Sequence, residues 1–368
     1  MKPLTLRLRA AASFKPRCRM EKIWSALSTT NARSESPGPA PRSAAAIRGM
    51  AAGSINPISW SAGEDIDGFE LKGICSLRQT MNTITLLCEN TARGAGILGE
   101  HGLAWWIDTG VHRVLFDTGQ GLTLLHNAAV LGIDLARADA LVLSHGHFDH
   151  VGGLEAVLAV ARTAPLYLHP CTCAKKFSGA NRAAGPRCIS VPFVETEAFR
   201  RNGRRIIVTR EPCEVVPGVW MTGEIPRTND FEDTGGPFYL DPALTLPDPL
   251  LDDQAMFFTA REGVVVVLGC AHAGVINTLA RVAELTGRAT IHTVMGGMHL
   301  ENGSPRRMAE TLVALRRFDV RRLGPVHCTG WAATATFQRE LPERCFQWAA
   351  GMRLSFETPS AAAPAVLP

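Results

Sequence analysis

Between Ser144 and Gly153 the chain reads SHGHFDHVGG, which puts His145, His147, Asp149 and His150 within six positions of a chain that has only 11 histidines. Imidazole is a poor core filler, and three protonated rings side by side would repel one another. A cation that keeps the rings neutral and uses their nitrogens as ligands resolves both problems. In H-x-H-x-D-H the first two side chains alternate just beyond a strand end and turn to one point. The next two, at a helix start, turn to a second point close by. The spacing therefore offers His145 and His147 to one ion, and Asp149 and His150 to its neighbour. Two such cations clamp and activate a hydroxide, which attacks a carbonyl carbon or a phosphorus. A solvated histidine-rich loop is the plainer reading, and the position at a strand-to-helix junction argues against it.

Later segments carry further donors. VVVVLGCAH ends in Cys270 and His272, VMGGMH in His299 and GPVHCTG in His327. Any one of these histidines alone is more often a core or surface residue; three successive strand ends each carrying one is hard to attribute to packing. His299, between two candidate ligand strands, is placed to give the leaving group its proton, so Asp149 and His299 are the candidate catalytic residues. In TGEIPR the planar fork of Arg227 suits a phosphate or carboxylate, and Glu224 stands beside it as a substrate contact or ligand. The pair in HPCTC (Cys171, Cys173) has one intervening residue and no matching second pair, which is not the spacing of a zinc knuckle.

These residues need elements to position them. TITLLCEN reads as a strand, then a glycine-rich loop leads to LAWWIDTG and HRVLFDTG, two strands joined by a tight turn. TLLHNAAVLGI has helical spacing. ALVLSH is a buried strand ending on the first histidine, and GGLEAVLAVART is a helix beginning after the cluster, where Gly152 and Gly153 allow close packing. The last third alternates strand GVVVVLGC, helix AGVINTLARVAEL, strand TIHTVMGG, helix RRMAETLVALRRF and strand RRLGPVH. Strands first in hairpins and then alternating with helices indicate an α/β sheet covered by helices. Residues 174–210 and 221–255 are irregular and rich in turn formers, as loops over a site are.

Composition is that of an ordinary globular chain, with 46% apolar and 20% charged residues. The net charge of +4 conceals a net +8 in residues 1–60, which leaves the remainder at −4. Nothing in that acidic remainder marks a nucleic-acid binder by electrostatics, no apolar run is long enough for a membrane, and no P-loop or dinucleotide fingerprint implies a nucleotide. Ten scattered cysteines read as reduced thiols of a cytoplasmic protein. Residues 1–80 mix Arg, Ala, Ser and Pro without periodicity: a disordered or targeting extension, in the latter case to an organelle, or a segment upstream of a translation start at Met50 or Met81. Residues 81–358 are the expected catalytic domain and 359–368 a flexible tail.

HGHFDH, the preceding FDTG with Asp117, and the late GPVHCTG resemble the metallo-β-lactamase superfamily over roughly residues 82–356. ITLLCEN, TGEIPR, DDQA, GCAHAGVINT, GGMHL and HCTG resemble, more narrowly, the branch that includes the pterin-linked synthase of methanopterin biosynthesis. The resemblance implies an αβ/βα four-layer sandwich with one or two divalent ions, zinc first and iron or manganese as alternatives. It implies His145 and His147 on one metal, Asp149 and His150 on the other, His327 as the final histidine ligand, and Asp117 as the buried carboxylate that orients the ligand loop. The family's bridging aspartate is absent: Cys270 or His272 stands in its place, and Glu224 or His272 in place of its third histidine. The function implied is a metal-dependent hydrolase using a metal-activated hydroxide on a small ester, lactone or phosphoester. A pterin-linked synthase and a metal-binding sensor with little turnover are the alternatives. Limited proteolysis is expected to trim the chain to near Met81 with activity and metal content intact, checked by peptide mass and elemental analysis; loss of folding on deleting residues 1–80 would move the boundary.

Overall fold

The computed structural model describes residues 81–180, 185–193, 196, 199 and 205–359; the expectations for 1–80, and for the tail beyond Pro359, lie outside the described residues. The first half runs β1 (Met81–Cys88), β2 (Ala104–Asp108), β3 (Arg113–Phe116), α1 (Leu124–Val130), β4 (Ala140–Val142), α2 (Phe148–Val151), α3 (Leu154–Val160) and β5 (Leu166–Leu168). Short strands follow: β6 (Phe177–Ser178), β7 (Arg187–Cys188), β8 (Ile206–Val208), β9 (Cys213–Val216), β10 (Val219–Met221) and β11 (Phe238–Tyr239). The last part is β12 (Ala255–Ala260), β13 (Gly263–Leu268), α4 (Val275–Thr286), β14 (Thr293–Gly297), α5 (Pro305–Arg317), β15 (Arg322–Val326), α6 (Trp331–Glu340) and β16 (Arg353–Glu357).

These make a seven-stranded sheet ordered β16-β1-β2-β3-β4-β5-β8 and a six-stranded sheet ordered β15-β14-β13-β12-β10-β9. The period-2 alternation of side chains explains how each sheet is buried on both faces. Leu86, Trp105, Val265 and Val267 point to the core between the sheets, with Phe116, Met256, Phe258 and Met295. Their chain neighbours Leu87 and Trp106 face α1 and α3 on one outside, and Val264 and Val266 face α4, α5 and α6 on the other. The layers are therefore helix, sheet, sheet, helix. That is the four-layer α/β sandwich expected.

Two differences from the sequence reading bear on the site. Asp149 and His150 do lie at a helix start, but that helix is the separate short α2 (Phe148–Val151) and not the beginning of α3. The two irregular segments are not bare loops: β6, β7 and β11 pair into a third, three-stranded sheet. Strands of two residues leave no periodic signal to read.

In both large sheets the parallel strands (β3, β4, β5 and β8; β13, β14 and β15) end on the same side as the motif loops. Side chains at parallel strand ends converge where the connections leave the sheet. Glycines allow the loops to meet there: a Cβ on Gly153 would overlap Thr118 O, and one on Gly102 would come within 2.8 Å of Asp149 O. Gly153→Ala should lower stability by about 1–3 kcal/mol, the cost of overpacking, measured by urea denaturation. An unchanged midpoint would mean that this junction has slack.

Candidate metal centre

His145, His147, Asp149, His150, Cys270, His272 and His327 are all buried at one end of the sandwich. The hydrogen bonds of the rings share a pattern. His145 Nδ1 lies 2.9 Å from Ser144 Oγ, His150 Nδ1 donates to Asp117 Oδ2 at 2.7 Å, His272 Nδ1 to Thr234 O at 2.8 Å and His327 Nδ1 to Asn90 Oδ1 at 2.9 Å. With one nitrogen of each ring held by the protein, Nε2 is in each case the nitrogen whose lone pair a cation can take.

Those lone pairs converge. Donor atoms of His145, His147 and His272 lie within 4.8 Å of one another, as do those of His145, His150 and Cys270, and those of His101, Asp149 and His327. His145 Nε2 is 3.0 Å from His147 Nδ1, and His150 Nε2 is 3.1 Å from Cys270 Sγ. Asp149 Oδ2 is 3.3 Å from Nε2 of both His327 and His101 and 4.0 Å from His150 Nε2. His147 Nε2 and His272 Nε2 are buried with no hydrogen-bond partner. An unpaired buried polar nitrogen is costly, and a cation removes that cost. The donor set of imidazoles, carboxylate and thiol fits zinc or a similar divalent ion.

Protonation states divide: burial lowers three of the rings, while the Asp117 and Asp149 carboxylates outweigh burial and raise His150. Burial foremost, then the charges of His150 and His147, pushes His145 well below the ordinary imidazole range. Burial and the Lys176 ammonium bring His147 down to about 3, and burial with His299 lowers His272. These rings are neutral, the form that ligates. Burial would raise the Asp149 carboxyl, but the neighbouring His150, His101 and His327 imidazoles outweigh it and hold it well below the usual carboxylate range.

Backbone strain is concentrated here. Asp117, Ala271, His299 and His327 have φ of 63°, 52°, 47° and 53°, a left-handed region that costs non-glycine residues of order 1–3 kcal/mol each. Such strain persists because surrounding bonds over-determine it. Asp117 accepts from Ser144 N at 2.7 Å, Ser144 Oγ at 2.6 Å and the His150 ring, and Glu89 Oε1 accepts from His327 N at 2.9 Å.

The structure separates the alternatives left at the third and bridging positions. His272 joins His145 and His147, while Cys270 faces His150. Glu224 and Arg227 join neither group. Glu224 is tied to His169 at 3.0 Å and to Arg210, and Arg227 donates to His272 O at 2.8 Å and Pro249 O at 2.7 Å. Both line a hollow of about 300 Å³ that none of those donors lines. The main cleft, about 890 Å³, has His147, Asp149, Cys270, His272, His299 and His327 on its floor. Phe238 stands over that floor, its ring 5.0, 5.2 and 5.8 Å from His147, His272 and His299.

Sequence reasoning missed His101, Cys328 and Lys176. His101 sits in the glycine-rich loop and Cys328 within GPVHCTG, so both were adjacent to recognised signals. Lys176 carried no signal. It is fully buried, donates to Asp248 Oδ2 at 2.8 Å and Asp252 Oδ1 at 2.9 Å, and Asp252 Oδ2 accepts from Gly146 N at 2.8 Å. The peptide between His145 and His147 is thus anchored by a buried charge network.

The family model for the metallo-beta-lactamase superfamily matches residues 98–327. The chain is 28% identical, over 70% of its length and 90% of the relative's, to the 7,8-dihydropterin-6-methyl-4-(beta-D-ribofuranosyl)-aminobenzene-5'-phosphate synthase of Methanocaldococcus jannaschii. An uncharacterised protein of that organism is 28% identical over 68% of this chain and 91% of its own. A solved structure described as a metal-dependent hydrolase of the β-lactamase superfamily superposes with a TM-score of 0.64 at 28% identity, covering 75% of this chain and 99% of that one.

Lys176→Met leaves two carboxylates buried without their cation. It should cost about 3–5 kcal/mol in urea denaturation, as for a broken buried ion pair. A loss below about 1 kcal/mol would show that the network does not hold the loop.

Proposed function

The chain belongs to the metallo-β-lactamase superfamily, and on that premise we propose that it is a metal-dependent hydrolase of a small ester, lactone or phosphoester, with two divalent ions held by His145, His147 and His272 and by Asp149, His150 and His327. The observation that carries this reading is the convergence of bare, buried imidazole nitrogens beside an ionised carboxylate on the floor of one cleft.

A divalent ion bound there supplies Lewis acidity and brings the pKa of its water to about 7. The protein's own groups do the rest. Asp149 Oδ2, the ionised oxygen on the floor, accepts a hydrogen from the nucleophile and so aims it. Asp117 fixes the His150 ring, and Glu89 with Asn90 fixes His327, so the donors need no reorganisation. The Phe238 ring, 5.0 Å from His147 and 5.2 Å from His272, covers part of the floor. His101, at the open rim and 3.3 Å from Asp149 Oδ2, can pass a proton between that carboxylate and solvent. The cleft's size suits a small-molecule substrate.

A second reading, a pterin-linked synthase, is favoured by 28% identity to the archaeal synthase over 90% of that enzyme's length. A panel of phosphodiesters, lactones and pterin phosphates on zinc-loaded protein separates the two by which class turns over, and no turnover would favour a sensor. His147→Ala should lower metal affinity by more than the about 10–100-fold that losing an outer partner costs, with activity falling in parallel and circular dichroism unchanged. Unchanged metal stoichiometry in elemental analysis would sink the assignment.

A further inference from the structure

Beside the two histidine-rich donor sets lies a third grouping that they do not use. The ends of β13, β14 and β15 each present one donor, Cys270, His299 and Cys328, and the three donor atoms lie within 4.8 Å of one another. The two sulfurs are 3.2 Å apart although β14 separates their strands. They meet across the top of β14 because it ends in glycine: a Cβ on Gly297 would stand 2.7 Å from Cys328 Sγ and 3.3 Å from Cys270 Cα. His299 is turned to its place by its left-handed backbone, and a Cβ on Gly235 would overlap its ring. Its Nδ1 is buried without a hydrogen-bond partner. Packing alone explains neither an unpaired imidazole nitrogen nor two thiols brought together over a missing side chain.

We propose that Cys270, His299 and Cys328 form a separate, thiolate-rich site for a soft or borderline cation, zinc in the first place. Thiolates select such ions over magnesium, calcium or manganese. A tetrahedral zinc with sulfurs at about 2.3 Å needs them about 3.8 Å apart, so the thiols open by a few tenths of an ångström. A disulfide would need them at about 2.0 Å, a larger movement for residues on strands that are not neighbours. The two thiols line the cleft, which gives the ion entry and leaves its fourth position to water or substrate. The site goes beyond the two-ion reading and uses none of the six donors assigned there, although Cys270 Sγ lies 3.1 Å from His150 Nε2. It also replaces the proton-donor role that sequence spacing suggests for His299.

The test is elemental analysis and zinc-edge X-ray absorption on the zinc-loaded full chain, its Cys328→Ser and His299→Ala variants, and Cys345→Ser as a remote thiol control. The site predicts a zinc–sulfur shell at about 2.3 Å in the parent. Cys328→Ser should weaken that shell, and both site variants should lose about one zinc per chain, with the control unchanged. Cys328→Ser with full zinc and an undiminished sulfur shell overturns the proposal. So does a parent with only nitrogen and oxygen neighbours, or one in which two thiols are lost to a disulfide. Should the variants fail to fold, iodoacetamide on the parent decides: zinc must shield Cys270 and Cys328 together, and equal alkylation with and without zinc overturns the site. Loss of zinc in His147→Ala with the sulfur shell retained keeps this test separate from that of the two-ion centre.

Discussion

One buried carboxylate organises the histidine-rich end of the molecule. Asp117 has no exposure to solvent, and its two oxygens take three donors: the Ser144 amide, the Ser144 hydroxyl and the His150 ring. Each bond does a different job. The amide bond ties the end of β3 to the exit of β4, the hydroxyl bond leaves Ser144 Oγ free to receive a proton from His145, and the ring bond aims His150 Nε2 at Cys270. A desolvated carboxylate is stable only when fully satisfied, so the loop has little choice of conformation. Asp117 itself adopts a left-handed backbone to reach this position, and its three bonds offset that cost.

The opposite side of the same loop is held by a different means. Asp252 grips the Gly146 amide and is itself neutralised by Lys176, which also pairs with Asp248. Gly146 can approach because it lacks a side chain: a Cβ there would overlap Thr172 O. The histidine loop is thus clamped between two anionic groups arriving from separate segments. Burial first, and then the Lys176 charge, lower the basicity of His147 and keep that imidazole neutral.

What could be read from the sequence follows from how local each signal is. H-x-H-x-D-H, FDTG and the three late strand ends are short motifs on regular elements, and the layers follow from alternation such as Leu86–Leu87 and Val264–Val267. The division of labour between His272 and Cys270 was not legible, because one intervening residue and a left-handed Ala271 decide which set each faces. The buried Lys176 lies in a stretch with no periodicity, and its partners are more than 70 positions away. Arg227 marks another limit: its place in a loop is legible, but the two backbone carbonyls that its guanidinium bonds are not.

The third sheet is built from strands of only two residues each, and none of those six residues belongs to any of the three apolar cores. Yet Ser178, Arg187 and Phe238 from it line the cleft. The fold is secured by one set of residues and the view a visiting molecule meets is set partly by another. A lineage can therefore revise that small sheet, and with it the molecules admitted, while the inherited cores and histidines stay as they are.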